Sequence, residues 1–318
     1  MRNSNRRSTP LALLPLAFFL KLFLIVVWLT CLLSPLAPAV TASPALRFDA
    51  RQALVYTRKA VSFGERPSGS EQMVKLRNWI VAELRPLGGE LTLDSFTAET
   101  PAGPIPMANI VLKFPGKSGR SVVVSGHYDT KRMPLVHFVG ANDGGSSTGF
   151  LMEFARVASR MSHPDDLYIV FFDGEEAIGN WSDTDSRYGS RHLAAKWLSE
   201  NKLSQIRALI NVDMIGDQNL DLADDENSSQ ELRERVWRIA ARLGDAKYFR
   251  RDPTAIDDDH KPFADLGVNV IDIIDLDYGP NGSYWHTAQD TLDKLSVHSF
   301  EVVGDVVTAL VEELEQSK

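Results

Sequence analysis

From residue 48 onward, two rhythms of apolar and polar positions alternate along the chain. One has helical spacing. In 70–87 the apolar residues Val74, Leu76, Ile80 and Leu84 recur at that spacing, Ser68 or Ser70 stands ready to cap the start, and Gly88-Gly89 ends the run. The same rhythm predicts helices over 50–62, 147–161, 186–200 and 229–243, and an amphipathic closing helix over 296–313. The other rhythm is a short apolar run bounded by turn residues, which predicts strands over 91–96, 108–114, 121–125, 167–172, 208–212 and 268–274. Continuous apolar strands separated by helices imply one α/β domain with a mixed, mostly parallel central sheet flanked by helices on both faces. Ligands of such sheets sit outside the carboxyl ends of the strands. The acidic run 221–226 reads as a solvated loop.

The first forty or so residues stand apart from this pattern. Arg2, Arg6 and Arg7 precede an almost wholly apolar stretch, 11–33, and small residues follow, with Val40-Thr41-Ala42 before Ser43 as a candidate cleavage site. This reads as a secretory signal over 1–42, leaving 43–318 as the folded domain and an exported protein, periplasmic or secreted. At roughly 20 residues, the apolar run is also long enough to stay as a membrane anchor. The net charge of −8 argues against nucleic-acid binding, which needs a basic face. The only cysteine, Cys31, lies in the apolar stretch, so the domain has neither a disulfide nor a thiolate nucleophile. A transition metal in it would be held by His, Asp and Glu.

Those residue types gather at the expected strand ends. His127 and Asp129 follow the 121–125 strand, Asp173, Glu175 and Glu176 follow 167–172, and Asp213 ends 208–212; Asp143 and His286 lie in loops. Two carboxylates and an imidazole make a three-ligand zinc site with one position open for water or substrate. Adjacent loop residues point different ways, so one of Glu175 and Glu176 can bind metal while the other moves protons. Each residue also has an ordinary reading. His127 would be a strand-end histidine bonded to backbone, Asp143 a helix cap, Asp213 a satisfied buried carboxylate, and Asp173 an acceptor of local backbone N–H groups. His163, in a polar loop before Pro164, reads as exposed, and Trp197 and Trp237 as core.

The ordered set resembles the M28 zinc peptidases: Gly126-His127-Tyr128-Asp129-Thr130, Ala141-Asn142-Asp143, Asp173-Gly174-Glu175-Glu176-Ala177, Asp213 and Trp285-His286-Thr287. The likeness to the glutaminyl cyclases within that family is stronger. Phe171 to Ala177 is followed by Trp181-Ser182 and by Asp185-Ser186-Arg187-Tyr188-Gly189-Ser190-Arg191-His192-Leu193-Ala194, and Asp258-Asp259-His260-Lys261-Pro262-Phe263 matches a further segment. The resemblance implies one Zn2+ held by Asp143, Glu176 and His286, with Glu175 as general acid/base. Asp213 and Asp258 would form the hydrogen-bond network around Glu175, and Trp181 and Trp285 would wall the substrate pocket. The implied reaction converts the N-terminal Gln of peptide or protein substrates to pyroglutamate with release of ammonia. Two departures touch the second layer of the pocket: Asp272 stands where animal cyclases have His, and the loop 275–283 differs.

Two other readings stay open. A two-zinc aminopeptidase would use His127, Asp143, Glu176, Asp213 and His286, all present, with Glu175 activating water. A non-catalytic binding ectodomain on the same fold would typically have lost ligands, and here none is lost.

Overall fold

A computed structural model describes residues 47–317. The N-terminal signal or anchor expected over 1–42 lies outside the described residues. Among the described residues, no helix is long and apolar enough to cross a membrane.

The chain opens with helices α1 (Ala50–Val61) and α2 (Glu71–Leu84). Asp49 caps α1 by accepting from the N–H groups of Arg51 and Gln52, and Ser70 caps α2 by accepting from that of Met73. A long hairpin follows, β1 (Glu90–Thr100) and β2 (Gly103–Phe114). Then come β3 (Ser121–His127), α3 (Gly145–Ala158), β4 (Asp166–Phe172), α4 (Tyr188–Ser199) and β5 (Ile206–Asp213). The last third holds β6 (Leu222–Asp225), α5 (Gln230–Leu243), β7 (Phe249–Thr254), the single turn α6 (Lys261–Ala264), β8 (Val270–Ile274) and α7 (Val297–Gln316).

Six strands form the central sheet in the order β1-β2-β4-β3-β5-β8. The two pairs at the β1 side are antiparallel and the other three are parallel, so the sheet is mixed. Alternating residues of its strands go to opposite layers. Val122, Val124, Ile169, Phe171, Ile210 and Ile271 pack with α1, α2, α3, α5 and α7. Val123, Val170, Phe172, Leu209 and Val270 pack with Leu193 and Trp197 of α4 and Phe263 of α6. Both faces are covered, which is why the parallel strands are apolar on both sides through most of their length. Trp197 and Trp237 are core residues, as expected, at 4% exposure each.

The acidic run is not a solvated loop. Its center is β6, fully buried and paired in parallel with β7. The charges are absorbed by partners outside the run: Asp224 accepts from Arg233 Nε at 2.6 Å, and Asp225 from the Ser228 hydroxyl and the backbone N–H of Ile256. His163 is not exposed either. Its side chain is 3% exposed, with Nδ1 2.9 Å from Glu315 Oε1 of α7 and Nε2 3.0 Å from the Ala158 carbonyl.

Candidate active site

Four parallel strands, β4, β3, β5 and β8, present their carboxyl ends on one edge, and a cavity of about 360 Å³ opens there. It is lined by Asp143, Glu175, Glu176, Trp181, Asp213, Asp258, Trp285 and His286, together with Lys131, Asp257 and the apolar Met214, Ile256, Ile274 and Leu276. Every residue singled out in the sequence as ligand, proton carrier or pocket wall therefore lines this cavity, apart from His127, which lies fully buried behind it.

His286 Nε2 lies 3.1 Å from Asp143 Oδ2 and 3.0 Å from Glu176 Oε1. The His286 ring is stacked against Trp285 and meets Phe138 edge-on. Asp143 faces both ways: its Oδ1 is 3.3 Å from His127 Nε2, which is also 3.1 Å from Asp213 Oδ1. Two three-donor groups result, Asp143–Glu176–His286 and His127–Asp143–Asp213, each with ligand atoms within 4.8 Å of one another. Asp143 Oδ2 is buried, and although His286 Nε2 is 3.1 Å away no donor meets it in hydrogen-bond geometry, an expense a folded protein avoids unless a cation or proton is to sit there. An oxygen- and imidazole-only donor set with this orphan fits zinc.

The electrostatics agree with a cation-seeking site. Burial works against charge on His286, yet Asp143 and Glu176 outweigh it and raise its pKa to about 10. The same holds for His127, raised well above its usual range despite burial by Asp213, Asp129 and Asp143. Asp143 is held below its ordinary range: burial raises it, but His127 and His286 prevail. Burial, with Glu176, Asp258 and Asp259 nearby, pushes Glu175 well up against the pull of His127. Burial likewise raises Asp213 to about 7.

The loops are fixed by residues outside the candidate ligand set. Asp129 accepts from the backbone N–H groups of Glu175 and Glu176 at 3.1 and 3.3 Å, which sets the two glutamates on diverging paths. Glu176 Oε2 accepts from Lys131, while Glu175 Oε2 lies 3.9 Å from His127 Nδ1. Asp290 accepts from the N–H groups of Asn142 and Asp143 and from the Tyr278 hydroxyl. The fully buried Arg66 donates to the carbonyls of Gly140 and Tyr128. Asp173 takes its ordinary reading, accepting from the Ala108 N–H and the Ser68 hydroxyl. Asp258 accepts from Asn211 Nδ2 and the Asp259 N–H. Its effect on Glu175 is through charge. Asp272 accepts from the same Asn211 side chain and lies 3.5 Å from His260 Nδ1. The site carries backbone strain at two positions: the motif residue His286 has φ 51°, and Met214, directly after Asp213, has φ 47°. Gly144 has φ 75°, and a Cβ there would meet the Asp129 carbonyl at 2.2 Å, so no other residue lets the Asp143 loop pass so close beneath His127.

Asp290, Arg66, Lys131 and Asp257 were not singled out in the sequence. Lys131 and Asp257 adjoin the motif segments without belonging to them, no spacing marks Asp290 or Arg66, and only the fold shows what each touches.

The profile of peptidase family M28 matches residues 109–311. A glutaminyl-peptide cyclotransferase of Drosophila melanogaster is 32% identical over 241 residues, which are 68% of this chain and 67% of that protein. Among solved structures, an Acidobacteriales bacterium glutaminyl cyclase has a TM-score of 0.83 and 41% identity, covering 88% of this chain and 98% of its own. A Porphyromonas gingivalis glutaminyl cyclase has a TM-score of 0.77 and 29% identity, covering 84% and 98%. The chain belongs to peptidase family M28 and, within it, to the glutaminyl cyclase group of enzymes.

Proposed function

We propose that this chain is a zinc-dependent glutaminyl-peptide cyclotransferase, turning the N-terminal Gln of peptides and proteins into pyroglutamate and releasing ammonia. The observation that carries the reading is the Asp143–Glu176–His286 donor set beside a buried Glu175 of raised pKa, in a cavity with two indoles on its rim. When bound by Asp143, Glu176 and His286, zinc would act as a Lewis acid on the side-chain carbonyl of the substrate Gln.

The chain's own groups do the rest. Trp181 and Trp285 hold the glutaminyl side chain folded toward its own α-amine and keep water out, so orientation supplies much of the rate. Glu175 takes a proton from the α-amine as its nitrogen bonds to the amide carbon. It gives that proton to the departing nitrogen as the old C–N bond breaks, and ammonia leaves. A carboxyl with raised pKa is suited to both transfers. Burial and the charges of Glu176, Asp258 and Asp259 hold Glu175 in that range, while Asp213, expected beside it, is engaged by His127.

A second reading, an aminopeptidase with two zinc ions, draws on the intact His127–Asp143–Asp213 group. The two are separated by offering purified protein a Gln-peptide and an aminoacyl reporter side by side. The cyclotransferase reading requires ammonia from the first without chain cleavage and no turnover of the second; the reverse pattern abandons it. We also infer export, from the basic start and the apolar run before Ser43. Mature protein should begin near Ser43; an intact Met1 on membrane-bound protein establishes an anchor instead.

A further inference from the structure

Trp181 lies on the loop between β4 and α4, 40% exposed, with its indole on the cavity rim. Its Nε1–H donates to Asp257 Oδ2 at 2.9 Å. The other oxygen of Asp257 accepts from Arg187 Nη1. Arg187 is only 4% exposed, and its guanidinium carbon lies 5.6 Å from the center of the Trp181 ring. Its backbone is in the left-handed region at φ 49°, a costly conformation for a side chain of this size. What holds it there is the loop that carries the proton shuttle: the Arg187 N–H donates to the Glu175 carbonyl at 2.7 Å. One residue thus ties the backbone of Glu175 to the side chain that grips Trp181.

We propose that Asp257 and Arg187 form a clamp that fixes the Trp181 indole as a cavity wall and thereby sets the affinity for the peptide substrate. The proposal rests on the glutaminyl cyclase reading. Both oxygens of Asp257 are already engaged, so Asp257 acts through Trp181 and is a positioning residue. An indole on a loop would otherwise hop between rotamers. Ordering it before the substrate arrives removes that cost from binding. The larger effect therefore belongs in KM, with a smaller fall in kcat because the same indole orients the bound side chain.

The test uses Asp257→Ala, Trp181→Phe and the double variant, with zinc content and melting temperature checked in each. KM for a Gln-peptide should rise about tenfold in Asp257→Ala, the equivalent of one lost charge-assisted hydrogen bond, and more than kcat falls. In the Trp181→Phe background, where no indole N–H remains, Asp257→Ala should add nothing further. An equal rise in that background means that Asp257 acts on substrate directly, and it overturns the clamp. A second readout is independent of turnover. The Trp181 indole N–H resonance, identified by its loss in Trp181→Phe, should shift in Asp257→Ala; an unmoved resonance also overturns the clamp. Failure of the wild-type protein to cyclize the peptide would instead count against the enzymatic reading, with the resonance still deciding the clamp.

Discussion

At the scale of single residues, the proposed chemistry divides labor between two adjacent glutamates, Glu175 and Glu176. Glu175→Gln is nearly isosteric but cannot take up the amine proton. It should keep its zinc and lose on the order of 10²–10⁴-fold in kcat. Glu176→Gln removes a charged donor and should lose zinc first, with activity partly restored by excess metal; metal analysis of the two variants checks this, and swapped outcomes would mean swapped roles. Asp290→Ala leaves the buried N–H groups of Asn142 and Asp143 without their acceptor. Zinc affinity should drop by about 10–100-fold although no ligand is touched, and competition with a chelating dye measures it. The ligand candidates were legible in the sequence because His, Asp and Glu collected at strand ends. Asp290 was not, because its role depends on a backbone brought to it across 147 residues of chain.

At the scale of elements, what was legible followed burial. The parallel strands β3, β4, β5 and β8 are apolar on both sides and announced themselves. The hairpin was found only in part, since Pro101, Gly103, Pro104 and Pro106 break its pattern. Pro104 and Pro106 lie in β2 ahead of Ile110–Phe114, the stretch paired with β4, where a missing ladder N–H is tolerated. Strand β6 was read as loop because charge suggests solvent, and its neutralizing partners lie elsewhere. His163 shows the same effect, and it carries a pH prediction. Burial lowers its pKa, but the Glu315 carboxylate and the Ala158 carbonyl outweigh that and raise it. A raised folded pKa means that the stabilization is fully present below the unfolded value near 6.5 and fades as pH rises through the folded one. His163→Ala should therefore cost more stability at pH 6 than at pH 9 in urea denaturation. An equal cost at both would leave His163 a packing residue only.

At the scale of the whole molecule, the carboxyl ends of β3, β4 and β5 and two long loops bring the donors together in and just behind one cavity. The order β1-β2-β4-β3-β5-β8 makes that edge common to segments far apart in the chain. Fold class and site location were thus legible from strand ends alone, while the loops that hold the site were not. A metal bound by such remote segments binds the folded chain and not the unfolded one, so it stabilizes by mass action. Chelation should lower the melting temperature by several degrees, and zinc should restore it. An unchanged melting curve would show that the donors are not loaded. Whether one ion suffices divides the cyclotransferase from its two-metal competitor, and the most direct measurement is a titration. Zinc is added back to chelated protein while ammonia release from a Gln-peptide is followed. The account predicts that the rate rises linearly and levels off at one equivalent per chain, with every peptide bond of the substrate intact. Activity that appears only as a second equivalent binds, or a product shortened by its first residue, would contradict it.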